Sequence, residues 1–137
     1  MCLQAYAIPV QENRVSAQRL SKLSGLRVEK LNKPFKGALW FSRDGGCSCS
    51  LMSDNADWNE PVWELEPEIL EPLAKALQVL GEEAGGFTFQ AIWAGDSAET
   101  TSETSLTEIL QEIRSNQVRN KHIYKVATTQ AVNASNE

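Results

Sequence analysis

Two thiols two residues apart, in Cys47-Ser48-Cys49, and the chain's one histidine, His122, are the side chains best equipped for chemistry. In a strand, residues i and i+2 point to the same side, so both sulfurs would face one way and could hold a soft metal ion. His122 would then serve as a further ligand, or as the base of a thiol-dependent enzyme, although no marked nucleophile accompanies it. The residues around the thiols argue for a quieter role. In Cys47-Ser-Cys-Ser-Leu51 the cysteines share a face with Leu51 while Ser48 and Ser50 share the other, the pattern of thiols packed into a core. Burial of that kind raises a thiol's pKa and keeps reagents out. The expectation is structural thiols and no cofactor, with a metal or thiol-enzyme centre at Cys47, Cys49 and His122 as the alternative. Cys2 belongs to the start of a first strand and Cys47 is expected beside that strand's far end, which separates them.

A second group of candidates is aromatic. Trp40 sits in Leu39-Trp-Phe-Ser42, which reads with Cys47–Leu51 as the two arms of a β-hairpin. A three-residue loop, Asp44-Gly-Gly46, pairs Phe41 with Cys49 and Leu39 with Leu51, whereas a one-residue slip would put every apolar side chain on the wrong side. That register sends Trp40, Ser42, Ser48 and Ser50 to the face opposite the core, where a tryptophan ringed by small polar residues resembles an interface anchor. Trp58 and Trp63 fall in a polar, acidic loop from Ser53 to Glu66, where they either fold back to cap the core or offer aromatic surface to a partner. In the same loop, Asn55, Asp57, Asn59 and Glu66 have the oxygen spacing of a calcium loop, but Glu60 occupies the position that needs glycine.

The elements that must position these residues follow in chain order. Residues 2–10 are rich in strand formers, with Pro9 near the end. Ser16 is placed as an N-cap, with Val15 and Leu20 as a hydrophobic staple and Gly25 as the stop of a short helix. Leu26 to Lys36 alternates too weakly to assign. After the hairpin and the acidic loop, Ile69, Leu70, Leu73, Leu77 and Leu80 recur at helical spacing up to Gly81, with Pro72 starting the helix afresh or bending it. Phe87–Trp93 alternates as a half-buried strand. Gly95–Thr104 has no apolar anchor and reads as a mobile loop. Ser105-Leu-Thr-Glu108 is a capping box opening a helix on Leu106, Ile109, Leu110 and Ile113, and His122–Val126 is a last strand. This order predicts an α+β fold, a ferredoxin-like βαββαβ antiparallel sheet with an added C-terminal αβ unit, in one domain over 1–127 with a disordered tail over 128–137.

Composition narrows the function classes. In 137 residues, 42% are hydrophobic, enough for a core of ordinary size. No stretch approaches the roughly 18 apolar residues of a membrane span, and the first residues lack the form of a secretory signal, so a cytoplasmic location without membrane association is expected. The net charge of −5 conceals an asymmetry: residues 1–36 hold seven Lys/Arg against two acids, and residues 37–110 hold two against fourteen. Such a dipole suits self-association or a protein partner, leaves room for a small ligand, and does not suit nucleic acid. The sequence thus points to a non-enzymatic binding or interaction module, a homodimer, using Trp40, Trp58 and Trp63.

Overall fold

In the first strand, β1 (Leu3–Pro9), small apolar residues alternate with larger or polar ones, and this alternation divides the molecule. Leu3, Ala5 and Ala7 join one large core cluster, while Tyr6, only 4% exposed, stands outside it. The computed structural model describes residues 3–12, 14–32, 35–45, 47–53 and 60–127. Across these, β1 is followed by α1 (Ala17–Ser24), β2 (Arg27–Lys30), β3 (Leu39–Ser42), a 3-10 turn (Ser48–Leu51), α2 (Pro67–Ala84), β4 (Gly86–Trp93), β5 (Thr100–Ser105), α3 (Leu106–Arg114) and β6 (His122–Ala127). The strands form one six-stranded sheet in the order β2-β3-β1-β4-β6-β5.

The fold is mixed α+β, and the sheet is not purely antiparallel. Its neighbours from β2 to β6 run antiparallel, but β5 pairs with β6 in parallel, Thr100 opposite His122 through Ser105 opposite Ala127. The cause is connectivity, since a strand that reaches its neighbour through a crossover helix, here α3, arrives parallel to it. Core-facing strand residues such as Val28, Phe41, Phe89 and Tyr124 share their cluster with Leu20 of α1, Leu73 and Leu77 of α2, and Ile109 and Ile113 of α3. All three helices therefore cover the same face.

The helix ends follow from local chemistry. Ser16 accepts from the Arg19 amide at 3.0 Å to start α1, and Ser105 and Glu108 exchange hydrogen bonds as a capping box to start α3. Gly81 does not end α2, which continues to Ala84 and closes on Gly85 in the left-handed conformation. Gly81 is small for another reason. A Cβ there would lie 2.9 Å from a Leu106 methyl, so its absence lets the start of α3 seat against α2. Exposed paired contacts, Arg19 to Glu83 and Arg114 to Glu71, tie α1 and α3 to the central helix.

Three further expectations are corrected. The partner of β3 is β2, within the stretch that weak alternation left open, with Val28 opposite Phe41 and Glu29 opposite Trp40. The expected second hairpin arm, Cys47–Leu51, enters a 3-10 turn instead, because its side chains take hydrogen bonds that a strand would give to backbone. Ser48, 1% exposed, donates its hydroxyl to the Phe41 carbonyl at 2.6 Å and accepts from the Ala5 amide at 3.1 Å, a one-atom bridge between β3 and β1. Ser50 accepts from the Arg43 amide at 2.9 Å. Lastly, much of the expected loop Gly95–Thr104 is the edge strand β5, whose anchor lies on the neighbouring strand.

Candidate functional site

The face away from the helices carries the aromatic pair. Alternation in β3 turns Leu39 and Phe41 into the core and Trp40 to the other side, where its ring stacks on that of Tyr6 with centroids 5.4 Å apart and planes 30° from parallel. The strand registers extend this contact into a row crossing the whole sheet, from Glu29 through Trp40, Tyr6, Gln90 and Ile123 to Thr101. Burial raises the Tyr6 phenol above its ordinary pKa, so the pair is uncharged near neutrality. Ile8, Thr88, Lys125 and Glu103 form the next row to one side of it. Arg27 and Glu29 lie together on the β2 flank, 3.8 Å apart. Tyr6 is already buried in the stack and Trp40 keeps partial exposure, so Trp40 is the ring a partner could touch at the centre, with charge at the two flanks.

The other tryptophans separate. Trp63 is fully buried and its indole N–H donates to the Ala91 carbonyl at 2.9 Å, beside Trp93 with ring centroids 6.5 Å apart. Of the two roles open to it, capping the core is the one the fold uses, and Trp63 contributes no binding surface. It is drawn in by its surroundings: its amide donates to Val118, and Asn116 holds both the amide and the carbonyl of Leu65. Trp58 lies outside the described residues, as do Asn55, Asp57 and Asn59 of the calcium-like spacing.

The structure does not bring Cys47, Cys49 and His122 together. Cys49 accepts from the Leu3 amide on the β3 side of β1, whereas His122 lies on β6, beyond β4 on the other side. Two strand spacings, about 10 Å, therefore separate β1 from the histidine's strand before any side chain is counted. His122 is 1% exposed, with Nδ1 2.6 Å from the Thr100 hydroxyl and Nε2 2.8 Å from that of Ser102. This contact anchors β5, since two hydroxyls on an otherwise polar strand are pulled against a buried ring. Desolvation, then the nearby Arg119 charge, lowers the His122 pKa, with Glu112 opposing. Below it, Tyr124 donates to Glu112 at 2.9 Å and accepts from the Arg119 amide at 2.9 Å, and burial holds its phenol far above the usual range.

The Ser102–His122 contact has the reach of a nucleophile and its base, but its surroundings do not serve that chemistry. Nδ1 meets a hydroxyl rather than a carboxylate. The groove of about 370 Å³ bordered by Ser102 holds Glu103, Glu108 and Glu112 against one Arg119, so an oxyanion forming there would meet net negative charge. Tyr6 and Ser48 are the important residues that sequence reasoning passed over. The alternation of Tyr6 against Leu3, Ala5 and Ala7 was a visible signal for the first. Nothing local marks the second.

Among the described residues no helix is long and apolar enough to cross a membrane. Compared with family models, curated proteins and solved structures, the chain matches none of them.

Proposed function

We propose that this protein is a non-enzymatic interaction module that pairs with a second copy of itself through the sheet face opposite its three described helices. The observation that carries the reading is the Trp40–Tyr6 stack at the middle of a face that none of the described helices covers. The charges supply the choice of partner. One flank carries Arg27 and Glu29 and the other Lys125 and Glu103, one cation and one anion each. A two-fold axis lying between two such faces and parallel to the strands sets each flank, carrying both signs of charge, over the opposite flank of the other copy, which also carries both. A stable pair needs about 800 Å² from each copy, within the span of a six-stranded sheet. The sub-order β4-β1-β3-β2 over β1-α1-β2-β3-α2-β4 supports reading the first six elements as ferredoxin-like, extended by β5-α3-β6. Free thiols at Cys47 and Cys49 suit a reducing compartment and support a cytoplasmic location.

Light scattering over a concentration series tests the pairing. The wild type should be dimeric, and Trp40→Ala should be a folded monomer whose dissociation constant has risen by a factor of about 30 or more, the loss of one hot-spot side chain. A wild type that stays monomeric at high concentration ends this reading.

A further inference from the structure

The geometry points to a second interaction surface, independent of the sheet face: the open edge of β5, which takes an extended, lysine- or arginine-bearing segment of a partner protein as an added strand. The order of the sheet leaves β2 and β5 as its edges. In β2, Arg27, Glu29 and Lys30 surround the buried Val28, and a short edge so charged resists docking by another chain. β5 has no such guard. Thr100-Thr-Ser-Glu-Thr-Ser105 is longer, contains neither lysine nor proline, and has Glu103 as its single charge.

The backbone of β5 shows which groups are offered. Thr100 donates its amide to the Lys121 carbonyl at 3.3 Å, on the side of β6. Backbone groups alternate in direction along a strand, so the N–H and C=O of Thr101 and Glu103, both exposed residues, turn away from β6. Among the described residues no strand pairs with that side. The opening ends at Ser105, whose amide is taken by Glu108 in the capping box. His122 grips Thr100 and Ser102 through their hydroxyls, so an incoming chain meets an edge already held in shape.

Charge selects the occupant. The groove of about 370 Å³ is bordered by Ser102, Glu103 and Thr104 of β5 and by Glu108, Gln111 and Glu112 of α3, so strand and helix together bound the space beside the edge. Side chains of an added strand alternate between the two faces of the sheet, and carboxylates wait on both. Glu103 lies on the open face in the row of Lys125, and Glu108 and Glu112 lie on the side of α3. Lys125, and Arg119 at 4.0 Å from Glu112, offset part of this charge, while Asp96 and Glu99 share Lys121 before the start of β5. The balance is negative. A cationic extended segment therefore gains from both its backbone and its side chains, whereas a second copy of β5 would bring the same acids against these.

The test uses a fluorescent peptide of alternating lysine and threonine, about six residues long to match a strand of that length. Anisotropy at low ionic strength should report binding to the full chain, and amide hydrogen exchange should slow at Thr101 and Glu103. The same peptide with alternate amides N-methylated keeps its charge but loses its donors, and should not bind. Thr101→Pro, on an edge whose N–H faces solvent, should keep the melting temperature and weaken binding by about tenfold, the worth of a backbone hydrogen bond. Glu103→Lys should weaken the lysine peptide and favour one with glutamate in its place. Since the peptide variants are read on the wild type, the proposal can be judged even if Thr101→Pro fails to fold. It is overturned by absence of binding, by equal binding of the N-methylated or the glutamate peptide to the wild type, or by protection elsewhere than at β5.

Discussion

Ser48 shows how much can depend on one hydroxyl. Its side chain bridges β1 and β3 where their backbones part, beyond the pairs Tyr6–Trp40 and Ala7–Leu39. Ser48→Ala leaves the Ala5 amide and the Phe41 carbonyl without that partner in a buried place, and should cost about 2 kcal/mol or more in urea unfolding. Ser50→Ala, whose partner amide on Arg43 is exposed, should cost clearly less. His122 gives a second residue-level prediction. Its folded pKa lies below its ordinary value of 6.5, so the unfolded chain binds the extra proton first and stability falls as pH drops below about 6.5. Arg119 from the α3–β6 connection opposes protonation and Glu112 of α3 favours it, with the hydroxyls of Thr100 and Ser102 and the ring of Tyr124 completing the surroundings. The melting temperature should decline between pH 6.5 and 5, above the range in which the paired glutamates titrate, and His122→Gln should flatten that decline. An unchanged slope in the variant would assign it to other groups.

Among the elements, legibility depended on whether the deciding interaction was local. The start of α1, the capping box of α3 and the outward turn of Trp40 rest on neighbours within four residues, and all were readable. The turn at Ser48–Leu51 was not, since its cause is a contact with Ala5, more than forty residues away. β2 was hidden because four residues with one buried side chain, Val28, carry too little periodicity to announce a strand. β5 was hidden because its anchor, His122, belongs to another strand. Gly85 and Gly86 join α2 to β4, and the second is the more constrained: its φ is 122°, and a Cβ would lie 2.6 Å from the Val126 carbonyl oxygen. Gly86→Ala should therefore destabilise by more than about 2 kcal/mol, as a strained backbone held against a rigid neighbour does. Equal stability by thermal melting would show that the β4–β6 edge can yield.

At the scale of the molecule, the number of strands among the first six elements came out as expected while one of them was a different stretch of chain. A pattern of elements is thus more robust than its assignment, because an α+β sheet over one helical layer accepts any strand that buries one face and leaves the other to solvent. The candidate face was half legible: Trp40 could be placed from its own strand, but Tyr6 needed the pairing of β1 with β3, and Trp63 needed the Ala91 carbonyl before it could be assigned to the core.

The central position of β1 also orders events in time. Its β4 edge pairs Leu3 with Trp93, ninety positions later in the chain. A ribosome adding about 5–20 residues per second needs roughly 5–18 s to supply that partner. For that interval the strand nearest the middle of the finished sheet has an unmatched edge. Assembly of the sheet thus begins with the first strand waiting for a late one, so residues 3–9 of the nascent chain keep an open strand edge until β4 has been made.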